Sequence, residues 1–208
     1  MKYCLLIMDG ASGWPLGEKG GQTCLELAAT PNLDALVQKG TLGTVLTVPT
    51  GMEPSSACAC MSLLGYDPKV YYKGRASIEA ASMGVPVKQG EAVFRCNLVS
   101  VEEGRMNSYC AGHISDKEAA TIIDSLNKEL GNQTVEFFAG KSYRHLLKLK
   151  GNSEALKAAC TPPHDIPGKK IAYHLPKGRG GGILRDLMQV AEAVLKDHPV
   201  NKKRQKRN

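Results

Sequence analysis

The run TVPTGMEPSSACACMSLLGYDP, residues 47–68, decides how this chain is read. Thr44 to Val48 is β-branched and apolar enough for a buried strand, and Pro49, Gly51 and Pro54 stop it in a loop. Ser55 and Ser56 follow, each able to cap the short helix that Cys58 to Leu64 predicts before Gly65. A hydroxyl at a helix N-terminus faces unpartnered backbone N–H groups and the positive end of the helix dipole, so a phosphoryl group carried there is stabilised. The stretch offers either two capping serines or a nucleophile, and its surroundings must decide between them.

Upstream, Tyr3 to Met8 is a continuous apolar run ended by Asp9-Gly10, the pattern of a central parallel strand covered on both faces. After a glycine-rich loop, Thr30-Pro31 reads as N-cap and first helical position. Leu33, Leu36 and Val37 form the apolar stripe, and Gly40 is the stop. Strand, helix, strand is a βαβ unit. Its strand ends bring Asp9 and the Ser55-Ser56 loop to one edge of a parallel sheet, where open α/β sheets bind ligands. A carboxylate beside a hydroxyl suits metal-activated nucleophilic attack, although a divalent cation needs about four to six donors.

Downstream, Ser77 to Ser82 predicts a short helix ended by Gly84, with Arg75 at the turn before it. Ala92 to Tyr109 reads as a hairpin turning at Glu102-Glu103-Gly104. Ser115 and Glu118 make a capping box for a helix whose Ala119, Ile122, Ile123, Leu126 and Leu130 follow helical spacing, closed by Gly131. Thr134 to Phe138 and Tyr143 to Leu149 predict two more strands, joined at Gly140. Four strands and a helix suggest a separate α+β unit.

The polar residues of that unit are candidates for holding a carboxylate and a phosphate. Arg95 and Asn97 alternate with apolar neighbours and so share a strand face, and an arginine offers a planar fork to either anion. His113 sits in a glycine-containing loop, Arg144-His145 begins a strand, and His164-Asp165 follows two prolines. Residues 177–182, Lys-Gly-Arg-Gly-Gly-Gly, read as a flexible connector, and Ile183 to Leu195 as an amphipathic helix returning to cover the sheet. Asp197-His198 reads as a helix boundary before Pro199. The expected division is residues 1–84 for the first core segment, 85–176 for the inserted unit, and 177–208 for linker, return helix and basic tail.

Composition sets the outer bounds. With 208 residues and 42% hydrophobic content, the chain is long and apolar enough to pack. Of its net charge of +7, five charges belong to Lys202, Lys203, Arg204, Lys206 and Arg207, and no basic-and-aromatic pattern elsewhere supports a nucleic-acid partner. Seven cysteines show no metal-finger or redox spacing and read as reduced thiols. The run before Asp9 is too short for a signal peptide or a membrane span, so the expectation is a soluble, cytoplasmic protein with no membrane partner.

The ordered motifs carry a resemblance. Met1 to Gly10, Thr30-Pro31-Asn32-Leu33-Asp34, Val48-Pro49 with Gly51-Met52, Leu64-Gly65-Tyr66-Asp67-Pro68 and Tyr72 to Arg75 come first. Then follow Phe94 to Val99, Ala111-Gly112-His113-Ile114-Ser115, Ser142-Tyr143-Arg144-His145, Thr161 to Asp165, and His198-Pro199-Val200-Asn201. Together they resemble the archaeal-type, cofactor-independent phosphoglycerate mutases of the alkaline phosphatase superfamily, along essentially the whole chain.

That resemblance implies an α/β fold, a partial alkaline-phosphatase-like parallel-sheet core with an inserted α+β lid. It implies phosphoryl transfer between the 3 and 2 positions of glycerate through a phosphoserine, with divalent ions (Mn, Mg, Zn or Co). Ser56 matches the nucleophile and a metal ligand, Asp9 the N-terminal carboxylate ligand, and His113 a substrate-binding histidine. Arg144, Arg95, Asn97, Arg75 and His164 are the further substrate-binding candidates. The family's other metal ligands belong to a second half, which is not expected within these 208 residues. The expected partners are therefore the small-molecule phosphoglycerate and either a complementary C-terminal half or a homo-oligomeric mate.

Two positions depart from the family pattern: Ala57 stands where an acidic residue commonly follows the nucleophile, and Cys60 replaces a polar side chain. These keep open a non-catalytic phosphate- or partner-binding module on the same scaffold. Another phosphomutase or hydrolase of the superfamily is the third reading.

Overall fold

The computed structural model describes residues 1–52 and 54–206. The chain divides into two compact units, Met1–Tyr72 and Lys73–Asn208. Arg207 of the basic tail lies outside the described residues.

Among the described residues the first unit holds four α-helices: α1 (Cys24–Leu27), α2 (Pro31–Lys39), α3 (Ser56–Leu63) and α4 (Pro68–Tyr71). The expected caps are largely where the sequence puts them. Pro31 opens α2, where its missing N–H costs nothing, and Gly40 follows its last residue. Thr30 does not cap through its side chain, because its hydroxyl donates to Asp34 Oδ1 at 2.9 Å instead.

Residues 3–8 and 44–48, read above as parallel strands, belong to no strand among the described residues. Their apolar side chains stay in solvent, with Tyr3 88%, Leu6 75%, Val45 72% and Leu46 78% exposed. The physical reason is that an apolar run becomes a strand only when a neighbour answers its N–H and C=O groups. Both sheets among the described residues are antiparallel.

The second unit carries the core. It begins with α5 (Arg75–Ser82), followed by β1 (Ala92–Asn97), β2 (Ser100–Glu102), β3 (Arg105–Ser108), α6 (Asp116–Leu130), β4 (Val135–Phe138), β5 (Arg144–Leu149), α7 (Gly181–Lys196) and α8 (Pro199–Gln205). The expected long hairpin from Ala92 to Tyr109 is divided. β2 and β3 pair with each other around Glu103-Gly104, where φ is 49° and 70°, but β1 pairs with β5. The larger sheet has the order β1-β5-β4, with Ala92 opposite Leu149 and Asn97 opposite Arg144.

One face of this sheet takes α6. Ser115 Oγ accepts from the Glu118 N–H and donates to the Glu118 carboxylate, fixing the helix start, and Ala119, Ile122, Ile123 and Leu126 are then buried as their spacing predicts. They meet Ala92, Val135, Phe137, Leu147 and Leu149 in one apolar cluster. The other face is covered by α5, whose Ala80 packs with Val85 and Leu146.

The helix α7, expected to return to the parallel sheet, lays Leu184 and its partly buried Leu187, Ala191, Val194 and Leu195 on the α6 cluster. Residues 177–182 are not a loose connector. Lys177 and Ala159 exchange backbone hydrogen bonds, and Gly180, at φ 80°, lies so close to Glu154 that a Cβ would fall 2.3 Å from its carbonyl oxygen. Gly180 and Gly181 serve close approach rather than flexibility.

Candidate functional site

In the first unit the site begins at α3. Its N-cap is Ser55, whose Oγ accepts from the Cys58 N–H at 3.3 Å. That leaves Ser56 as the first helical residue, exposed, with no hydrogen-bond partner for its hydroxyl among the described residues. Of the two serines that the sequence offers as caps, the structure uses Ser55 alone. One satisfies the helix end; the other presents an unengaged hydroxyl beside the N–H groups of the first turn.

Asp9 lies in an exposed turn closed by the Ala11 N–H to Met8 C=O bond, with Gly10 at φ 77°. No hydrogen bond joins Asp9 to Ser56 among the described residues. No group of three His, Cys, Asp or Glu converges as a metal site among them either.

In the second unit, β5 begins with Arg144, whose guanidinium lies 4.4 Å over the Tyr143 ring. Tyr143 meets Tyr109 edge to face at 5.9 Å, and Tyr109 meets the His164 ring at 6.5 Å. Arg144 and His164, distant in sequence, thus bracket a pair of tyrosines. His164 is exposed, with its Nε2 3.5 Å from Asp165. An arginine stacked on an aromatic face keeps its fork of donors directed outward at small entropic cost.

His113 occupies the neighbouring loop, exposed and at φ 57°. Two bonds tie its loop to the one before β5: the Ser142 N–H donates to Asp116 Oδ1 at 2.6 Å, and Ser142 Oγ donates to the Ile114 carbonyl at 3.0 Å. Beneath it lies the buried thiol of Cys110, 3.4 Å from Ser108 Oγ. That hydroxyl, with the backbone groups of His113 and Gly112, holds the thiol below its ordinary range.

The remaining candidates are placed differently. β1 carries Arg95 and Asn97 on one face, as strand alternation requires, and Asn97 is registered against Arg144. Its Oδ1 is buried with no partner among the described residues. Arg95 is engaged at Glu79 of α5, Nε to Oε1 at 3.0 Å, in a partly buried ion pair. Arg75 is the exposed first residue of α5.

Sequence reading missed Tyr109, Tyr143 and Asp116. The tyrosines lie next to strand ends, where aromatic residues ordinarily signal packing. A groove of about 920 Å³ between α6 and the α7–α8 junction holds none of the candidate residues. Its His198 is spent as a cap: Nδ1 accepts from the Val200 N–H and Nε2 lies 3.0 Å from Ser125 Oγ.

All seven cysteines are free, and no helix among the described residues is long and apolar enough to cross a membrane.

Comparison with known proteins bears on this arrangement. A family model described as 2,3-bisphosphoglycerate-independent phosphoglycerate mutase matches residues 37–201. The curated protein of that name from Methanosarcina barkeri is 50% identical over 98% of this chain and 51% of its own length. A second from Methanothermobacter thermautotrophicus, 2,3-bisphosphoglycerate-independent phosphoglycerate mutase 2, is 43% identical over 99% of this chain and 50% of its own. The solved structure of a cofactor-independent phosphoglycerate mutase from Thermoplasma acidophilum superposes over 95% of this chain and 54% of that one, with a TM-score of 0.55 and 26% identity. The chain spans about half the length of the curated relatives it matches. Within that span, this mixed α/β chain belongs to the 2,3-bisphosphoglycerate-independent phosphoglycerate mutase family.

Proposed function

We propose that this chain supplies the phosphoryl-accepting serine and the substrate-gripping unit of a cofactor-independent phosphoglycerate mutase in the cytoplasm. The observation that carries the reading is the division of labour at α3, where Ser55 takes the cap and leaves Ser56 unengaged. In the proposed reaction a Ser56 Oγ–P bond forms as the C–O–P ester of 3-phosphoglycerate breaks, and the hydroxyl proton passes to the departing glycerate oxygen. The 2-hydroxyl of glycerate then takes the phosphoryl group back and returns its proton to Ser56. Unpaired N–H groups of the first α3 turn face the phosphoryl charge in between. Arg144, His113 and His164, with Asn97 beside Arg144, offer donors for the carboxylate and phosphate of the substrate.

Asp9 and Ser56 alone do not fit a divalent ion, which takes about four to six donors. In this reading a complementary half brings the other ligands, and with them the strands that residues 3–8 and 44–48 need to complete a parallel sheet. In this reading residues 85–176 are the inserted unit that grips the substrate.

The test mixes this chain with the second half of the Methanosarcina barkeri relative, a divalent ion and 3-phosphoglycerate. Phosphoserine at Ser56 and formation of 2-phosphoglycerate are expected, and Ser56→Ala removes both. A mixture that associates yet yields neither overturns the reading.

A second reading draws on the placement of His113, Arg144 and His164 within Lys73–Asn208. This unit could bind phosphoglycerate without turnover, consistent with Ala57 and Cys60. Calorimetric binding without metal, and no product in the mixture, would favour it.

A further inference from the structure

The loop that carries His113 has a backbone that ordinary L-residues avoid. Ala111, Gly112 and His113 lie at φ 47°, 59° and 57°, three consecutive residues in the left-handed region. Outside glycine this conformation costs about 1–2 kcal/mol per residue, and it persists only where neighbouring contacts over-determine it.

Those contacts can be followed. The Gly112 N–H donates to Ser108 Oγ at 2.9 Å, and the Ile114 carbonyl accepts from Ser142. The Ala111 carbonyl is held from the far end of the sequence: Arg204 of α8 donates Nη2 to it, while Arg204 Nη1 lies 3.2 Å from Glu118 Oε2. One guanidinium thereby links the left-handed loop to the first turn of α6.

Its own helix is fixed independently. His198 caps α8 and reaches Ser125 of α6, Asn201 Nδ2 donates to the Leu195 carbonyl at 2.8 Å, and Lys202 pairs with Asp197 at 3.0 Å. Among the described basic residues of the tail, Arg204 alone is partly buried, with both terminal nitrogens engaged.

We propose that Arg204 is a positioning residue for the candidate site: by holding the Ala111 carbonyl against Glu118, it keeps the 111–113 turn left-handed and so sets where His113 presents its ring. The structural part stands on the contacts above; the substrate part rests on the proposed role of His113. A planar fork suits this task, because its two terminal nitrogens answer the Glu118 carboxylate and the Ala111 carbonyl separately, whereas Lys brings a single nitrogen.

The test uses the full chain. In Arg204→Met the Gly112 and His113 amide resonances should shift and exchange with solvent about tenfold faster, as loss of a charge-assisted hydrogen bond implies, while those of Ile122 and Leu126 hold. Arg204→Lys gives an intermediate effect and keeps the test open if the Met variant misfolds. Guanidinium ion added to Arg204→Ala restores the wild-type positions, and Lys203→Met, a charge loss on the same helix, changes neither resonance.

In a calorimetric titration, 3-phosphoglycerate should bind Arg204→Met about tenfold more weakly than wild type. Unmoved Gly112 and His113 resonances overturn the proposal, as does an equal shift in Lys203→Met. Moved resonances with unchanged affinity overturn the positioning role. If wild type binds no phosphoglycerate, the functional reading fails, and the resonances still decide whether Arg204 holds the turn.

Discussion

His145, on β5, is registered against Cys96, with one ring nitrogen answered and the other not. The Gly140 N–H donates to Nδ1 at 3.0 Å, which places the proton of the neutral ring on Nε2, buried with no partner among the described residues. Burial pushes its pKa down to about 4 from 6.5, against a smaller opposing pull from the Ser142 backbone and the Asp116 charge. The unfolded chain takes up this proton near pH 6.5 and the folded chain only near pH 4, so stability is present above this window and is lost as pH falls through it. The loss is on the order of 3 kcal/mol. Urea melts between pH 7 and pH 4 should show it, and in His145→Asn, whose amide oxygen can replace Nδ1, the slope should flatten. Cys96, opposite in register, is subject to the same burial, which raises its thiol to about 11. None of this was legible in the sequence, where His145 counted only as a neighbour of Arg144. The residue types of the candidate site could be read, but which of them are free could not. That depended on Ser55 taking the cap and on Glu79 engaging Arg95.

At the scale of elements, the edge strand β4 shows how a helix finishes a sheet. Asn127 of α6 accepts from the Phe137 N–H at 2.8 Å and donates to the Phe137 carbonyl at 2.6 Å, answering two backbone groups that β5 does not reach. Asn127→Ala should cost about 2–3 kcal/mol in chemical denaturation, because both groups are then left unpaired in a part-buried place. Hydrogen exchange at Phe137 should rise more than at Leu147 in the same variant. The sequence displayed α6 plainly, through its capping box and its helical repeat of apolar residues, and it displayed the turn at Gly140 between β4 and β5. It did not display the pairing of β1 with β5. Local alternation marks a strand and its two faces, but the partner is chosen by contacts some fifty residues away, and Ala92 opposite Leu149 leaves no trace in either segment. The glycines of 177–182 misled for a related reason: a missing Cβ looks the same in sequence whether it permits motion or close packing.

At the scale of the whole molecule, the two units differ in how much they bury. Buried apolar residues concentrate in Lys73–Asn208, whereas in Met1–Tyr72 the described residues bury only Cys58 and Pro68. Limited proteolysis of the chain alone should therefore cut first within residues 1–72 and leave a resistant fragment starting near Lys73, with local opening free energies to match. Adding the second half of a mutase relative should protect the first unit if the proposed pairing is right; cleavage at an unchanged rate counts against it. The segments at 3–8 and 44–48 also have a consequence for handling. Apolar, without a ladder and carrying few charges, they are open templates that accept any extended chain of similar character, including the same segment of another molecule. A solution of this polypeptide is thus in competition with itself, and self-association into fibrils or amorphous precipitate is held off chiefly by dilution and by its excess positive charge.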